Sequence, residues 1–443
     1  MTRSGNPDSS TPQAATIPRN DHSISRSQIS PGALKVLYQL KEAGYRGCLV
    51  GGGVRDLLLG REPKDFDVAT DALPDEVNRL FRSCRLIGRR FRLAHVRFGR
   101  EVIEVATFRA NHDAGNGDSG DASLSDAGRI LRDNVYGTIE EDAFRRDFTV
   151  NALYYDIADF SVRDYVGGMN DLKAGVLRVI GDAGQRYRED PVRMLRAVRF
   201  AAKLGFRIHP DTEAPMAQTG PLLADVPAAR MFEEVLKLFL GGSALATFEL
   251  LRHYDLFRYV FPATDAALAR QDQDFPLVLL GKALANTDAR LAEDKPVTPA
   301  FLYAALLWEP VRLAAQALEA DGASALEALQ VAGNRVTAEQ GAITALPKRF
   351  SLPMREIWQM QPRFERRRGR APYRLLEHPR FRAAYDFLLL RAESGEAPEE
   401  LAQWWTDFQQ LNAEQRASMT DSAPQSRNKP VKRRRRRRKT SDA

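Results

Sequence analysis

Residues 49–68 read Leu-Val-Gly-Gly-Gly-Val-Arg-Asp-Leu-Leu-Leu-Gly-Arg-Glu-Pro-Lys-Asp-Phe-Asp-Val, and this stretch decides the fold. A short apolar run stops at three glycines. An apolar helical turn follows and ends at Gly60, a residue that favours the close of a helix. Alternate residues of a strand point to the same side, so we expect Asp65 and Asp67 to project together while Phe66 faces the core.

Two carboxylates held side by side repel each other, and a hard cation such as Mg²⁺ commonly stabilises the pair. Glycines in front of a helix let backbone N–H groups approach phosphates closely, which makes Gly52 and Gly53 candidates for nucleotide binding. Arg55 is a further candidate for nucleotide binding, and Lys64 adds positive charge. Together these features predict in-line phosphoryl or nucleotidyl transfer with two metal ions. Each short motif by itself also fits a solvated turn.

The composition of the chain limits the classes of protein to consider. A length of 443 residues predicts two to four domains. The hydrophobic share of 44% and the charged share of 28% are typical of a soluble globular protein. No apolar run is long enough to cross a bilayer, and no signal-peptide pattern opens the chain. Cys48 and Cys84 form neither a disulfide nor a zinc pattern, so we expect reduced thiols and a cytoplasmic location.

The net charge of +7 is unevenly placed along the chain. Residues 425–443 hold ten Lys or Arg and one Asp, a contribution of +9, which leaves −2 (7 minus 9) for the rest. The unbroken arginine run predicts a disordered tail that binds RNA phosphates, for which Arg433, Arg434 and Arg435 are candidates. A solvated tail without a partner is the alternative. Residues 1–25 are rich in Ser, Pro, Asn and Thr and are expected to be disordered.

Two further segments of the first half carry charged candidates. Glu104 lies among apolar neighbours in a strand pattern, which predicts a third acidic group or, equally, an edge-strand glutamate in water. Arg146 is a candidate for holding a triphosphate. Asp147 next to it is a candidate for contacting a ribose hydroxyl or for completing the acidic centre. A charged helix end is the alternative for this pattern.

A basic helix is predicted after Tyr187. Asp190 is expected to cap the helix, with Pro191 at its first position, and Gly205 to end it. The basic residues that follow share one stripe at helical spacing, which suits a nucleotide or RNA phosphate, or else a solvated helix face. They are Arg193, Arg196, Arg199 and Lys203.

Beyond residue 210 the pattern is helical almost throughout, without a catalytic motif. Residues 363–374 are dense in arginine and interleaved with aromatic residues, a composition typical of single-stranded RNA binding. The arginine candidates are Arg366, Arg367 and Arg368. The aromatic residues are Phe364, Tyr373, Phe381, Tyr385 and Phe387, for which an aromatic core with a charged outer face is an equally good interpretation.

Four motifs occur in the order known from one superfamily. They are a Gly-Gly-x-Val-Arg-Asp motif ending at Asp56, Asp65-x-Asp67, Arg145-Arg146-Asp147 and Glu189-Asp190-x-x-Arg193. On these residues the chain resembles the class II nucleotidyltransferase superfamily, which contains the CCA-adding tRNA nucleotidyltransferases and the bacterial poly(A) polymerases. The resemblance runs from about residue 26 to about residue 405. The stretch from Leu86 to Val96 is similar to the signature that helps to separate the polymerases from the CCA-adding enzymes.

The resemblance implies an α+β fold. A nucleotidyltransferase head with a small mixed β-sheet would be followed by an all-helical neck and body and by a disordered basic C-terminal tail. The implied segments are a disordered N-terminus at 1–25, a catalytic head at 26–180, a neck for nucleotide recognition and RNA binding at 181–265, an RNA-binding body at 266–424 and the tail at 425–443.

The resemblance also implies the activity. The catalytic residues would be Asp65, Asp67 and Asp147, with a two-metal Mg²⁺ centre on the first two. The incoming base would be recognised by Glu189, Asp190, Arg193 and Arg196. The implied reaction is template-independent addition of AMP from ATP to RNA 3′ ends, which is expected to mark RNA for decay in bacteria. CCA addition to tRNA is the alternative, and a non-catalytic RNA-binding scaffold is a third that the intact aspartate pair disfavours.

Overall fold

The computed structural model describes residues 14–88, 92–110, 122–124, 130–133, 135–270 and 275–424. The chain divides into two compact units. The first is formed by Met1–Val226 with Glu249–Leu256, and the second by Pro227–Phe248 with Phe257–Ala443. The implied boundaries after residues 180 and 265 separate functions, and they stay predictions.

A mixed eight-stranded sheet forms the centre of the first unit, as the α+β prediction requires. The strands of the chain are β1 (Ala15–Ile17), β2 (Gly47–Val50), β3 (Asp67–Thr70), β4 (Cys84–Ile87), β5 (Leu93–Phe98), β6 (Glu101–Thr107), β7 (Ala122–Leu124), β8 (Ile130–Asp133), β9 (Leu153–Asp156), β10 (Val162–Asp164), β11 (Val176–Leu177) and β12 (Arg207–Ile208). The sheet has the order β1-β10-β9-β2-β3-β6-β5-β4. Only β3 and β6 pair in parallel, whereas the other neighbours in this sheet are antiparallel.

The first unit contains helices beside its sheet, and the described part of the second unit is helical. They are α1 (Pro31–Glu42), α2 (Gly52–Leu58), α3 (Pro74–Leu80), α4 (Ile139–Arg145), α5 (Gly168–Ala174), α6 (Ala183–Glu189), α7 (Val192–Leu204), α8 (Pro210–Glu213), α9 (Met216–Thr219), α10 (Ala228–Phe239), α11 (Ala244–His253), α12 (Phe257–Val260), α13 (Pro262–Leu268), α14 (Phe275–Ala292), α15 (Pro299–Leu306), α16 (Trp308–Ala320), α17 (Ala325–Ile343), α18 (Lys348–Met360), α19 (Ala371–Leu376), α20 (Phe381–Glu393), α21 (Glu399–Gln410) and α22 (Ala413–Ser422).

The stretch that decides the fold lies in the middle of the sheet. β2 ends at Val50, and Gly51 follows with a φ of +77°, a conformation that favours glycine and turns the chain into α2. Phe66 is buried as predicted. The strand begins only at Asp67, however, so the expectation that Asp65 lies in the strand is wrong, and Asp65 belongs to the loop before it.

The N-terminus differs from the sequence prediction. Disorder of residues 1–25 is wrong for residues 14–25, because β1 pairs with β10 and because a ring nitrogen of His22 lies 2.9 Å from the carbonyl oxygen of Phe160. Residues 1–13 are outside the described part of the chain.

Aromatic residues of the second unit form a core. Phe364, Phe381, Tyr385 and Phe387 are buried, so the interpretation of these rings as an RNA-stacking surface is wrong and the alternative is confirmed. Trp405 packs edge-on against Phe364 with a centroid distance of 5.0 Å and donates its indole N–H to the Phe364 carbonyl at 2.9 Å. Burial of large apolar area, about 25 cal/mol per Å², explains why the rings turn inward.

The remaining sequence predictions concern thiols and membranes. Cys48 and Cys84 are free thiols, as predicted. No helix within the described ranges is long and apolar enough to cross a membrane.

Candidate active site

Neighbouring strands bring acidic side chains together on one face of the sheet. Val50 of β2 pairs with Asp67 of β3, Asp67 pairs with Glu104 of β6, and Glu104 pairs with His95 of β5. Residues in register on adjacent strands lie side by side on the same face. Glu104 contacts His95, with 3.2 Å between Oε1 and Nε2. β6 lies between β3 and β5, so Glu104 is not on an edge strand. Its side chain is nevertheless 49% exposed, as the alternative of a glutamate in water expects.

The charge around Asp67 is not balanced. Burial, followed by the negative charges of Glu104 and Asp65, raises the pKa of Asp67 to about 6, against the lowering effect of Arg146. A raised pKa means that the ionised carboxylate costs free energy in this position. Asp65, Asp67 and Glu104 therefore form a centre of mutual repulsion, which we call the acidic centre.

The acidic centre has the chemistry that a hard cation requires. Within the described residues, no group of three or more His, Cys, Asp or Glu side chains is arranged to hold a metal ion. Mg²⁺ does not need such an enclosure, because one or two carboxylates together with water and substrate phosphates complete its shell. The raised pKa of Asp67 is the observation that fits a cation, since positive charge beside Asp67 would relieve the repulsion.

The glycine turn lies directly against this centre. A Cβ atom on Gly51 would lie 3.8 Å from Oδ2 of Asp67 and 3.7 Å from Nη1 of Arg146. A Cβ atom on Gly53 would lie 3.2 Å from the carbonyl oxygen of Asp65, which is tight. The glycines thus allow α2 to approach the acidic loop closely. The phosphate contacts of Gly52 and Gly53 stay a prediction.

Arg146 is fixed by two residues that sequence reasoning missed. Its Nε and Nη2 donate to Oδ2 of Asp142 at 3.1 and 2.9 Å, and its Nε lies 2.9 Å from the Tyr154 hydroxyl. That hydroxyl donates to the same carboxylate oxygen at 2.7 Å. Burial opposes the charged form, yet Tyr154 and Asp142 raise the pKa of Arg146. The four-residue spacing of Asp142 and Arg146 was the available signal.

Asp147 lies in a different electrostatic setting from Asp67. Burial alone would raise the pKa of Asp147, but the Arg196 guanidinium and hydrogen bonds from Asn151 and the Phe148 N–H hold it below its usual value. Arg196 donates from Nε at 2.9 Å and from Nη2 to the same carboxylate oxygen. The backbone N–H of Phe148 donates at 2.8 Å. Glu104 is the carboxylate in register beside Asp67, and the role of Asp147 stays a prediction.

Two of the predicted base-recognition residues, Glu189 and Arg193, form an ion-pair network with Arg186. Oε2 of Glu189 accepts from Arg193 at 3.0 Å and from Arg186 at 3.1 Å. Arg186 also donates to the carbonyl oxygens of Arg145 and Arg146 at 2.6 and 2.7 Å, which connects the network to the residues before Asp147. Arg186 was missed by sequence reasoning, because its partners lie 40 residues away in the chain.

The start of α7 differs by one residue from the prediction. Asp190 ends α6, and Pro191 rather than Asp190 precedes α7. Asp190 still accepts the N–H of Val192 at 3.3 Å. Gly205 ends the helix with a φ of +72°, as predicted.

The basic stripe of α7 is confirmed as the face of that helix that is not buried. Arg193, Arg196 and Arg199 are half-buried and Lys203 is exposed. The Arg199 guanidinium lies 4.3 Å from the ring centroid of Phe200. RNA binding by Arg199 and Lys203 stays a prediction.

Arg55 lies in the interior rather than in an open cleft. Its side chain is 3% exposed, and it donates to Asp56 at 2.7 and 2.8 Å and to Asn151 at 2.6 Å. A phosphate contact would have to break these bonds. The structure therefore gives Arg55 the role of joining α2 to the segment after Asp147, and its predicted nucleotide contact is not supported by this geometry.

The predicted RNA-binding arginines of the second unit have different surroundings. Arg366 is exposed. Arg367 is paired with Glu400 at 2.9 Å, and Arg368 donates to the carbonyl oxygen of Ala423. Arg433, Arg434 and Arg435 lie outside the described residues. RNA binding by all six stays a prediction.

Comparison with known proteins gives consistent results along the chain. Residues 48–178 match the family model of the poly A polymerase head domain, residues 205–268 that of a probable RNA and SrmB-binding site of polymerase A, and residues 321–440 that of the polymerase A arginine-rich C-terminus. Poly(A) polymerase I of Escherichia coli O6:H1 is 54% identical over 90% of this chain and 86% of that protein.

Relatives of a second kind match less of the chain in sequence, although the similarity in fold extends over most of it. The CCA-adding enzyme of Geobacillus stearothermophilus is 39% identical over 52% of this chain and 54% of that protein. The crystal structure of the Bacillus stearothermophilus CCA-adding enzyme in complex with CTP superposes with a TM-score of 0.60 and 28% identity, over 86% of this chain and 84% of that one.

Proposed function

This chain belongs to the poly(A) polymerase family and is a nucleotidyltransferase, and we propose that it adds AMP from ATP to RNA 3′ ends without a template. In this reaction the 3′-hydroxyl oxygen of the RNA bonds to the α-phosphorus of ATP while the bond to pyrophosphate breaks. The acidic centre beside the glycine turn is the single observation that carries the proposal.

Asp65 and Asp67 would hold Mg²⁺, with Glu104 as a further carboxylate beside Asp67. Bound Mg²⁺ supplies activation of the attacking hydroxyl and stabilisation of the leaving pyrophosphate. Arg146 would hold a phosphate oxygen of ATP, because its Nη1 lies beside the glycine turn while Asp142 and Tyr154 fix its other nitrogens. A guanidinium with a fixed orientation loses little entropy on binding an anion.

Asp147 would accept a hydrogen bond from a ribose hydroxyl of ATP. Its pairing with Arg196 keeps the carboxylate ionised and therefore able only to accept. Glu189, Asp190, Arg193 and Arg196 would recognise adenine. Arg193 offers donors and no acceptor, Glu189 accepts, and the two are held together by a 3.0 Å contact.

CCA addition to tRNA is the second candidate, and it uses the same chemistry. The length of chain that each kind of relative matches in sequence favours AMP addition over CCA addition. The similarity to poly(A) polymerase I spans most of both chains, whereas the similarity to the CCA-adding enzyme covers about half. We propose RNA as the polymer substrate for the further reason that the matched models include an RNA-binding region.

The free thiols fit a cytoplasmic location.

One assay tests the proposed function. The full-length protein is incubated with Mg²⁺, a short single-stranded RNA and each nucleoside triphosphate separately, and the products are sized. We expect long ladders with ATP and short or no extension with CTP, GTP or UTP. A stop after C-C-A on a trimmed tRNA, with no ladder on single-stranded RNA, would overturn the proposal in favour of CCA addition.

A further inference from the structure

The second unit contains a cavity that no step of the proposed reaction uses. It has a volume of about 640 Å³ and lies between α14, α15, α18 and α20. Pockets of about 300–1,000 Å³ typically accept ligands of drug size, and a nucleotide falls within that size. The acidic centre lies in the other unit, so this cavity is not part of the site described above.

The wall of the cavity is apolar and aromatic. Phe301, Phe350, Ile357 and Leu390 are among its lining residues. Both phenylalanines are only half-buried, in contrast to the buried rings of the neighbouring core. Half-exposed aromatic rings in a concave site are suited to stack on a nucleobase, which is worth about 1–3 kcal/mol per base.

The charges around the cavity leave an excess of positive charge. The three carboxylates that line it each have a cation beside them. These pairs are Glu293 with Lys295 at 2.5 Å, Asp386 with Arg382 at 3.0 Å, and Glu393 with Lys282 at 3.8 Å.

Two lining arginines remain after this pairing. Arg380 is paired with Glu356 at 3.2 Å. Arg290 makes a 3.3 Å hydrogen bond to the carbonyl oxygen of Pro296, and Arg349 lies 4.8 Å from the Phe350 ring centroid. In the described part of the chain, neither Arg290 nor Arg349 makes an ion pair, although the charge of Arg290 is close enough to lower the pKa of Glu293 and to act in the same direction on Asp386. Both are exposed, so an anion can reach them from solvent.

We propose that this cavity binds one nucleotide of the RNA substrate, other than the 3′-terminal one. The base stacks on the aromatic wall, and Arg290 and Arg349 contact the flanking phosphates. The inference rests on the proposed function, because the ligand is the RNA that the enzyme extends. A second RNA contact in the other unit would hold the substrate between additions of AMP.

The experiment removes charge and space separately in the full-length protein. Arg349→Ala deletes one rim cation, and Ala289→Trp places a large ring on the exposed cavity wall of α14 without a change of charge. Arg335→Ala is the matched control for charge, because Arg335 is 61% exposed on α17 and does not line the cavity. Ala292→Trp, at an exposed position of α14 outside the lining, is the matched control for size.

Binding of a fluorescent 15-residue oligo(A) is measured by anisotropy, and KM is measured for RNA and for ATP. We expect Arg349→Ala and Ala289→Trp each to raise the Kd for RNA and the KM for RNA about tenfold, with kcat at saturating RNA and KM for ATP within twofold of the parent. Both control variants should stay within twofold of the parent.

Three outcomes would overturn the inference. Wild-type affinity in Ala289→Trp would mean that the cavity is not entered. An equal loss of RNA affinity in Arg335→Ala and Arg349→Ala would mean that the arginines act only through the overall positive charge of the protein. A raised KM for ATP with unchanged RNA affinity would assign the cavity to a free nucleotide. Failure of the proposed function is a separate result, since the parent protein would then bind RNA without extending it.

Discussion

Asp67 and Asp147 are both enclosed aspartates of the same unit, yet their surroundings act in opposite directions. Asp67 lies beside Glu104 and Asp65, and its pKa is raised to about 6 by burial and by these charges. Asp147 accepts from Arg196, Asn151 and a backbone N–H, and its pKa is lowered despite burial. Asp67 therefore has negatively charged neighbours, whereas Asp147 is paired with an arginine of the protein.

The difference separates two tasks of a carboxylate in a site that handles polyanions. A carboxylate already paired with arginine has its charge neutralised and serves to position groups. A carboxylate beside other negative charges is destabilised by repulsion, and a bound cation relieves that repulsion. We therefore assign cation binding to the acidic centre and positioning to the pairs around Asp147 and Glu189.

The largest effect is expected for Asp67→Asn. The variant should lose AMP addition by about a thousandfold or more, because a metal ligand stabilises the transition state by several kcal/mol. Its free energy of unfolding should not fall, since one of several repelling charges is removed. Single-turnover extension of a short RNA measures the activity, and urea unfolding measures the stability. Asp75→Asn, at a side chain that is 68% exposed, is the control. Activity within tenfold of the parent would remove Asp67 from the acidic centre.

Glu104→Gln sharpens the comparison at the third carboxylate. We expect a loss of about 10–100-fold in kcat, because Glu104 adjoins Asp67 in register and adds negative charge beside it. The exposed Glu42→Gln on α1 is the matched control. Full activity at saturating Mg²⁺ would show that Glu104 contributes no more than a solvated side chain.

Asp147→Asn tests the paired carboxylate. The variant should be less stable by about 2 kcal/mol at pH 7, because Arg196 loses its ionised partner. The lowered pKa of Asp147 means that its ionised form stabilises the fold above about pH 4, and that this stability is lost as pH falls through the lowered pKa. Urea unfolding at several pH values should therefore give a difference between parent and variant that shrinks below about pH 4. A difference that is constant with pH would show that the ion pair is not its source.

The smallest effect is expected for Arg193→Ala. The ratio of kcat/KM for ATP to that for the other nucleotides should fall about tenfold, because Arg193 and Glu189 form the predicted base-reading pair. Rates with ATP, CTP, GTP and UTP give the ratio. An equal loss of kcat/KM with all four nucleotides would mean that Arg193 binds phosphate, which all four share. Arg193 would then not recognise the base.

Local patterns predicted the backbone of the site well. The alternation around Phe66, the glycine turn and the close of α7 at Gly205 depend on neighbouring residues only, and the structure has all three. The strand start after Asp65 was missed, because a strand end depends on its pairing partner. β2 is that partner, and its register with β3 ends at Asp67.

Side-chain partners distant in the chain could not be predicted. Tyr154 and Arg186 act through contacts that only the folded chain creates. Arg55 was taken for a phosphate ligand because its position in a motif does not say where its side chain points. The aromatic residues after Phe364 were open to two interpretations, since composition does not distinguish a ring that stacks on RNA from one that fills a core.

Cation binding tests the central claim most directly. Mn²⁺, which replaces Mg²⁺ and is detected by electron paramagnetic resonance, is titrated into the parent, Asp67→Asn and Asp147→Asn in the presence of a non-reactive ATP analogue. We predict that Asp67→Asn weakens Mn²⁺ binding at least about tenfold, whereas Asp147→Asn stays within about twofold of the parent. An equal loss in both variants, or a larger loss in Asp147→Asn, would contradict the assignment of cation binding to the acidic centre.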